Sequence, residues 1–377
     1  MKKFLLGKAP FVRRADEKGP STNRMMIDLI IALTPLAIFA WVKNGLMPFL
    51  DIKGTSVLMM LYPLIYVLCG ALFSFLCEAV YFYFVFKVTN FKDLCKKVWE
   101  SYAIIPGIIL ALMMPLNTSI LMLFMGCFLA NIVFKMLFGG FGKNVFNPAL
   151  IAYVVITAAV GLSAHSLNPS ETVLEGISGA TPLTLIAGLK EVTYETVVAP
   201  YGTLLDFFIG TVPGGLGCTS VLLCLVAYVY LVARKVINWR VPAIIIGVSF
   251  VITTIIALVN GYGMWYPVFQ ICSGGLMYGA VFMATEPVTT PKNTLAKTIF
   301  AVGCAVFTLL FRLCGAYPDG FATAILFMCL FTPVIDRFAA TIRANKFTYK
   351  SALKLCAAFG IFVLVGVYTI LKVGGVL

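Results

Sequence analysis

The chain has 377 residues, of which 61% are hydrophobic and only 11% are charged, and its formal net charge at pH 7 is +13. Soluble globular proteins have roughly 45–50% apolar and about 25% charged residues. The composition therefore excludes a soluble enzyme, a disordered chain and a small disulfide-stabilised domain, and it indicates a polytopic membrane protein. The basic residues lie mainly between apolar runs, which is typical of membrane topology and argues against a nucleic-acid partner.

The N-terminal segment has basic residues but lacks both a long apolar stretch and a small-residue cleavage site. A secretory signal peptide requires both features. Residues 1–25 are therefore predicted to form a cytoplasmic tail.

Apolar segments follow in chain order, and their lengths are close to the roughly 20 residues that a helix needs to cross the hydrocarbon core. Eleven are predicted, at 26–46, 56–86, 98–115, 119–138, 145–162, 218–234, 240–259, 266–284, 296–315, 321–340 and 352–373. The pattern predicts an all-α polytopic membrane protein.

The distribution of Lys and Arg between these segments predicts the orientation. With the N-terminus inside, 23 of the 28 basic residues, including Lys135, fall on the inner side, and 5, including Lys43 and Arg312, fall on the outer side. Basic residues accumulate in cytoplasmic loops. The N-terminus is therefore predicted to be cytoplasmic, the chain to be multi-pass in the cell (inner) membrane, and the long segment 163–205 to be extracytoplasmic.

Self-similarity within the chain predicts an internal repeat. At an offset of 172 residues, one set of four residues matches another: Ser101, Gly107, Pro115 and Thr118 match Ser273, Gly279, Pro287 and Thr290. At an offset of 175, a second set matches: Gly140, Phe146, Ala149 and Thr157 match Gly315, Phe321, Ala324 and Thr332.

The repeat predicts a domain organisation of two five-helix copies, which must be inverted because each has an odd number of helices. The first copy is predicted at 26–162 and the second at 206–340, separated by the loop 163–205, and 341–377 adds one further C-terminal transmembrane helix. Each copy contains a Pro-containing interruption, MMPLNTS at 113–119 and ATEPVTTP at 284–291. In inverted repeats such interruptions form a binding site near the midplane. The alternative is a simple helix end at proline.

Two segments carry candidate chemistry. In the outer loop, Glu175-Gly-Ile-Ser178-Gly179-Ala180-Thr181-Pro-Leu-Thr presents a hydroxyl among small residues, so that Thr181 could be esterified by a modifying enzyme. The alternative is an ordinary Gly/Ser turn. In GGFGKNVFNPAL, at 139–150, Asn144 and Asn147 would share one helical face if the helix has begun, and could then bind a planar heterocycle. The alternative is N-capping ahead of Pro148.

Acidic residues and a glycine-rich turn complete the candidates. Ionisable groups at membrane depth are costly and are functional candidates by default; those near or within the apolar segments are Asp28, Glu78, Glu100, Asp206, Glu286, Asp319 and Asp336. Glu286, at the second interruption, could hold a proton or Na⁺ or could pair with a lysine. The turn at 210–220, GTVPGGLGCTS, could bind an anion through its backbone amides, a weak pattern by itself.

Five segments in this order resemble a known family: GGFGKNVFNPAL, EGISGATPLT, TVPGGLGCTS, SGGLMYGAVFMATEPVTTP and GAYPDGFATAILFMCLFTPVIDR. They are similar to the D subunit of the Rnf electron-transport complex and to its paralogue, the B subunit of the Na⁺-translocating NADH:quinone oxidoreductase. The likeness covers about residues 10–340, and the spelling of the motifs and the lack of a long N-terminal extension favour the Rnf protein.

The resemblance implies a helix bundle with the inverted repeat of urea and ammonium transporters. It implies FMN joined by a phosphoester to Thr181, within a motif that includes Glu175, Ser178, Gly179 and Ala180, and installed by a flavin transferase. It also implies non-covalent riboflavin near Asn144 and Asn147. Glu100, Glu286 and Asp336 match the positions suggested for ion coupling, and no further metal site is expected.

The function implied is a membrane subunit of a redox-driven ferredoxin:NAD⁺ oxidoreductase that translocates Na⁺ or H⁺ together with the A, B, C, E and G subunits. No side chain of this chain is expected to act as a nucleophile in turnover. Two residues differ from the family pattern: Glu175 stands where Asp is usual, and Cys218 stands where Glu is usual. The alternatives are a subunit of the quinone-reducing paralogue, a non-redox channel or carrier for a small polar solute, and a structural membrane anchor.

Overall fold

The computed structural model describes residues 4–6, 12–14, 22–51, 56–116, 118–160, 182–183, 192–315, 319–344 and 349–373. The candidate residues Glu175, Ser178, Gly179, Ala180 and Thr181 lie outside these ranges. The N-terminal segment contains a small antiparallel hairpin of β1 (Phe4–Leu6) and β2 (Val12–Arg14). All other regular structure in the described ranges is helical.

The helices of the first part of the chain are α1 (Thr22–Trp41), α2 (Met47–Asp51), α3 (Val57–Phe84), α4 (Phe91–Glu100), α5 (Ile104–Met113), α6 (Ile120–Phe128) and α7 (Pro148–Val160). Two π-helical stretches interrupt the α-helical geometry. Val42–Leu46 joins α1 to α2, and Leu129–Met136 continues α6.

The helices of the second part are α8 (Tyr194–Val197), α9 (Leu204–Ile209), α10 (Val221–Ala233), α11 (Arg240–Asn260), α12 (Trp265–Cys272), α13 (Leu276–Tyr278), α14 (Thr294–Leu313), α15 (Phe321–Ala344) and α16 (Tyr349–Val373). A 3₁₀ turn, Ala199–Tyr201, follows α8, and a π-helical stretch, Gly279–Met283, continues α13.

Every predicted apolar segment coincides with helix, which confirms an all-α polytopic membrane protein. Six of the described helices are long and apolar enough to cross a membrane by themselves: Thr22–Leu50, Val57–Phe84, Arg240–Asn260, Thr294–Leu313, Phe321–Ile342 and Leu355–Val373. The others are shorter. Two predicted segments, 98–115 and 266–284, are each divided into two helices with a non-helical break between them. The five-plus-five arrangement and the predicted domain boundaries stay predictions.

The described residues form two compact units. The first contains those before residue 161 together with Gly215–Gly217 and Val226–Ile237. The second contains 182–183, 192–214, Cys218–Leu225 and the described residues from 238 onward. In the first unit α3 packs against α1, α5 and α6, and in the second unit α14 packs against α11, α15 and the C-terminal α16.

Helices α3 and α6 are joined by three polar contacts in register. Cys127 Sγ lies 3.5 Å from the Gly70 carbonyl oxygen, Asn131 Nδ2 donates to Ser74 Oγ at 2.8 Å, and Lys135 donates to Glu78 Oε1. These pairs recur every four residues at a constant separation of 57, so the two helices run parallel along this seam. Four-residue spacing keeps side chains on nearly one face of a helix.

Small residues let the helices of the first unit approach closely. A Cβ on Gly107 of α5 would collide with the carbonyl oxygen of Gly70 in α3, and one on Gly70 would lie 2.7 Å from the carbonyl oxygen of Gly107. Close approach through small residues is typical of helix packing in membranes, where interior contacts gain little from the hydrophobic effect.

The charge-based orientation needs one correction. Lys135 was assigned to an inner loop, but its side chain is only 3% exposed and pairs with Glu78, which is fully buried. Arg312 and Lys43, assigned to the outer side, are also buried. A buried cation that is paired inside the protein reports packing rather than the sidedness of a loop. The asymmetry of the remaining basic residues still predicts a cytoplasmic N-terminus.

The first prediction concerns the buried pair. Removing one partner of a buried ion pair leaves an uncompensated charge and typically costs about 3–5 kcal/mol. We expect Lys135→Met or Glu78→Gln to lower the midpoint of thermal denaturation strongly, as measured in detergent by fluorescence-detected size-exclusion chromatography. The double variant Glu78→Leu/Lys135→Met should recover only part of this loss, because it removes both charges but also the Lys135 donor of the Ser101 carbonyl oxygen.

Lys97→Met, at an exposed position of α4, is the control and should leave the midpoint unchanged. Single variants that are as stable as this control would show that the pair is not ionised or not buried as described.

Candidate functional site

Residues next to the predicted flavin attachment site are described although Thr181 is not. Pro182 and Leu183 are both buried. Leu183 Cδ1 would lie 2.7 Å from a Cβ placed on Gly274, so the leucine side chain covers that glycine directly. Gly274 has φ +67°, a left-handed conformation that disfavours other residues, so both its backbone and its surroundings require glycine.

The first helix break separates α4 from α5 at residues 101–103. Tyr102 has φ +55°, and this left-handed conformation turns the chain. The conformation costs roughly 1–2 kcal/mol for a residue other than glycine. The carbonyl oxygen of Ser101, at the end of α4, accepts a hydrogen bond of 2.7 Å from Lys135 Nζ. The ammonium group therefore contacts the negative end of the α4 dipole, where a positive charge is stabilising.

The second break separates α12 from α13 at residues 273–275. Arg312, on α14, donates to the carbonyl oxygens of Gln270 at 2.5 Å and Ser273 at 3.4 Å, both at the end of α12. Its Nε also donates to the carbonyl oxygen of Asp319 at 3.3 Å. The guanidinium group thus binds three carbonyl oxygens in two backbone segments of the second unit, the end of α12 and the segment before α15.

The two breaks share their local design. Ser101 and Ser273, which the repeat pairs at an offset of 172, each end a helix, and a buried cation binds the carbonyl oxygen of each. The next residue is left-handed in both cases. Gly107 and Gly279, a further predicted pair, both lie where a Cβ would collide with a neighbour, with the Gly70 carbonyl oxygen and the Phe321 ring respectively. These local features support the internal repeat.

The glycine-rich turn closes the end of α5 rather than presenting all of its amides to a ligand. The N–H of Leu216 donates to the carbonyl oxygen of Met114 at 3.0 Å, and the N–H of Gly217 donates to that of Leu112 at 2.8 Å. A Cβ on Gly217 would lie 2.6 Å from Leu112 Cδ2. Two of the backbone amides that could have bound an anion in this turn therefore donate hydrogen bonds to carbonyl groups at the end of a helix.

The segment after the π-helical stretch Gly279–Met283 is attached to α15. The Asp336 carboxylate accepts hydrogen bonds from the N–H groups of Lys292 at 3.1 Å and Asn293 at 3.4 Å, and Thr332 Oγ1 donates to the carbonyl oxygen of Thr289 at 3.2 Å. Glu286 is half-buried, and its Oε2 accepts a hydrogen bond from Thr289 Oγ1 at 3.0 Å. Glu286 and Asp336 therefore both contact residues 289–293.

Glu100, the third predicted coupling carboxylate, is exposed at the end of α4 in the first unit. It does not share the segment 289–293 with Glu286 and Asp336. Elsewhere, Asp206 is the third residue of α9, and the N–H and hydroxyl of Thr203, just before the helix, donate to its carboxylate and lower its pKa. That arrangement is a helix cap.

The turn between the π-helical stretch and α7 contains the two predicted flavin-binding asparagines, and both are buried. Helix α7 begins at Pro148, so Asn144 and Asn147 precede it rather than sharing a face of it. Asn147 Oδ1 accepts from the N–H groups of Ala149 at 3.1 Å and Leu150 at 3.3 Å, which is N-capping geometry. Asn144 Nδ2 donates to the carbonyl oxygen of Phe146 at 3.1 Å.

This turn contacts the first helix break. The rings of Phe141 and Tyr102 meet edge to face, with centroids 5.1 Å apart. Three glycines with positive φ, Gly139, Gly140 and Gly142, give the turn its shape. The left-handed residue of the break and the asparagine-containing turn are thus neighbours within the first unit.

Sequence reasoning missed the roles of Lys135 and Arg312. Both were counted with the basic residues that mark the sides of the membrane, although each lies within an apolar run. A basic residue within such a run, together with a serine at the equivalent position of each repeat, is the signal that could have identified them.

The second prediction tests the guanidinium contacts. Lysine has a single ammonium group and cannot reproduce a planar fork that binds three carbonyl oxygens. Each hydrogen bond from a charged donor contributes about 1.5–3 kcal/mol, so Arg312→Lys should destabilise the protein by at least one such bond. The denaturation midpoint in detergent should fall clearly below that of Arg337→Lys, a control on the exposed surface of α15. Equal midpoints would contradict the described role.

Comparison with known proteins gives the family. A profile described as the NQR2, RnfD, RnfE family matches residues 6–345. The chain is 32% identical to the D subunit of the proton-translocating ferredoxin:NAD⁺ oxidoreductase complex of Clostridium ljungdahlii, over 90% of this chain and 96% of the relative. It is also 32% identical to the D subunit of the Na⁺-translocating ferredoxin:NAD⁺ oxidoreductase complex of Acetobacterium woodii, over 84% and 89%.

A relative from the second branch is similar at a comparable level. The B subunit of the Na⁺-translocating NADH-quinone reductase of Stutzerimonas stutzeri is 30% identical over 72% of this chain and 70% of its own length. The profile covers nearly the whole chain, and the two D-subunit relatives match more of it than this B-subunit relative does. The chain therefore belongs to the NQR2, RnfD, RnfE family.

Proposed function

We propose that the chain is the D subunit of an Rnf-type ferredoxin:NAD⁺ oxidoreductase complex in the cell membrane and that it carries covalent FMN on Thr181. The observation that carries this proposal is the EGISGAT motif in a chain that matches D-subunit relatives over up to 90% of its length. The flavin supplies one- and two-electron transfer when bound, while the protein holds and orients it. The partners would be the A, B, C, E and G subunits and a flavin transferase.

The packing of Leu183 supports a defined location for the attachment site. Leu183 is buried against Gly274 at the second helix break. Two residues of extended chain span at most roughly 7 Å, so Thr181 is covalently restricted to the neighbourhood of this break. A phosphoester at Thr181 would thus start close to Gly274.

Non-covalent riboflavin is proposed at the turn containing Asn144 and Asn147. An isoalloxazine ring offers carbonyl and ring-nitrogen acceptors, which suit amide N–H donors. Asn147 Oδ1 is already engaged in the helix cap, but its Nδ2 forms no hydrogen bond with the described part of the chain. Capping therefore orients the amide so that its donor group remains for a ligand, and the two interpretations of this asparagine are compatible.

Coupling to Na⁺ or H⁺ is proposed to involve Glu286 more directly than Asp336 or Glu100. Asp336 uses its carboxylate to hold backbone N–H groups at the start of α14, and Glu100 is exposed. Glu286 is half-buried in the interruption that follows the π-helical stretch Gly279–Met283. The two D-subunit relatives at equal identity are named for different ions, so transport has to be measured with both.

The third prediction tests the covalent flavin. The full chain is expressed together with a flavin transferase, denatured and examined on a gel for flavin fluorescence. We expect a fluorescent band from the wild type that is lost in Thr181→Val, because the hydroxyl is the point of phosphoester attachment. Thr184→Val, in the same loop, is the matched control and should remain fluorescent.

A dark wild-type band, from cells in which a reference flavoprotein is labelled, would overturn the FMN proposal. The non-redox channel for a small polar solute would then become the function to test, by solute uptake into proteoliposomes.

The fourth prediction concerns Glu175, which places its carboxylate one methylene further from the backbone than the usual Asp. Glu175→Asp should be labelled at least as fast as the wild type, because the carboxylate is kept. Glu175→Gln should be labelled more slowly by about tenfold or more, since a hydrogen bond to a charged group contributes about 1.5–3 kcal/mol. The readout is the time course of in-gel fluorescence, and equal rates for the three proteins would show that the carboxylate does not assist the transferase.

A further inference from the structure

A shallow pocket, open on one side, lies between the beginning of α1 and the junction of α4 with α5. Its walls are mostly apolar and include Ile27 and Ile30 from α1, Trp99 from α4 and Ile104 from α5. All of these residues belong to the first unit. The pocket is distinct from the buried contacts of Lys135, although Tyr102 contributes to its edge.

The position of the pocket along α1 corresponds to the membrane boundary. Its α1 lining extends from Asn23 to Ile30, in the first turns of a helix long and apolar enough to cross the membrane. Seven residues of α-helix cover roughly 10 Å along the axis. Interfacial helices bury their apolar face about 5–10 Å deep, at the boundary between headgroups and acyl chains, so the pocket covers this depth.

Helix α4 has the sequence pattern of an interfacial helix. Val98 is buried, while Phe91 and Trp99 are 75% and 50% exposed. The same helix has three exposed lysines, Lys92, Lys96 and Lys97. Exposed aromatic residues combined with lysines are typical of helices that lie at the surface of a membrane.

Two of these lysines share a face with Trp99. Lys92 and Lys96 precede Trp99 by seven and three residues, a spacing that places side chains on one side of a helix. Lys97 precedes it by two residues and therefore points to nearly the opposite side. On the α1 side, Arg24 pairs with the buried Asp28 at 4.0 Å. The positive charge beside the apolar pocket is therefore that of the two lysines of α4.

We propose that one acyl chain of an anionic phospholipid lies along the open side of this pocket and that its headgroup contacts Lys92 and Lys96. The apolar walls suit the hydrocarbon chain, and the lysines supply the charge complementarity that selects an anionic over a zwitterionic headgroup. The amphipathic side chain of Trp99 lies between the two, with an apolar ring and one N–H donor. Each lysine should favour the anionic headgroup about five-fold, which corresponds to about 1 kcal/mol.

The fifth prediction uses Trp99 as the reporter. The full chain is reconstituted in nanodiscs of phosphatidylcholine containing, at equal mole fraction, either dibrominated phosphatidylglycerol or dibrominated phosphatidylcholine. Bromine quenches tryptophan fluorescence on contact, and the difference between the wild type and Trp99→Phe isolates the signal of Trp99. We expect quenching of this signal by brominated phosphatidylglycerol to reach half its maximum at a mole fraction up to about 25-fold lower than quenching by brominated phosphatidylcholine, since each of the two lysines contributes about five-fold.

The matched variants test the role of the lysines, each measured with and without Trp99→Phe. Lys92→Gln/Lys96→Gln should abolish the preference for phosphatidylglycerol, whereas Lys97→Gln on the other side of α4 should keep it. Equal quenching of wild-type Trp99 by the two brominated lipids would overturn the proposal, because Trp99 would then only face the bulk bilayer. Absence of quenching by either lipid would also overturn it, since the pocket would be closed to lipid, and so would a preference that persists in the double variant.

Discussion

The structure depends on satisfying backbone carbonyl groups where helices stop inside an apolar environment. A carbonyl group that loses its helical partner in hydrocarbon costs several kcal/mol unless another donor replaces it. At the two breaks this donor is a buried cation, Lys135 for Ser101 and Arg312 for Ser273. The cations differ in how they are accommodated. Glu78 binds Lys135 and completes the seam between α3 and α6, whereas Arg312 spreads its N–H groups over three carbonyl oxygens.

The candidate functional groups lie at interruptions of helices rather than in one cluster of carboxylates. In the first unit, Phe141 connects the break at Tyr102 with the turn that contains Asn144 and Asn147. In the second unit, Leu183 covers Gly274 at the break, and Glu286 lies in the next interruption, after the π-helical stretch Gly279–Met283. Interrupted helices thus provide short, rigid backbone ends on which a cofactor or an ion can be positioned, in agreement with the general use of broken helices in membrane transport proteins.

The sequence predicted the helices well because lipid imposes a strong rule: a spanning segment must be apolar over most of its length. The interruptions at 113–119 and 284–291 were recognised from proline, and α5 and the stretch after α13 do end there. The breaks at 101–103 and 273–275 were missed because the apolar runs continue across them. Lys135 and Arg312 could not be assigned from one sequence, since their partners lie 34 and 39 residues away and only the packing of helices brings them together. For Asn147 the sequence offered helix capping and ligand binding as alternatives, but one side chain can cap a helix through its oxygen and still offer its N–H donors.

The burial of Leu183 affects the effective concentration of a flavin attached at Thr181. A group attached to a flexible loop samples a large volume, and its effective concentration at any one site falls as the length of the tether grows. With Leu183 packed at Gly274, the tether for a flavin on Thr181 is two residues long instead of the whole of the segment 163–205. Such a short tether would confine the proposed flavin to a small volume around Gly274. A partner redox centre would therefore have to approach that position. The timing of electron transfer would then depend on docking of a neighbouring protein of the complex rather than on diffusion of the tethered flavin.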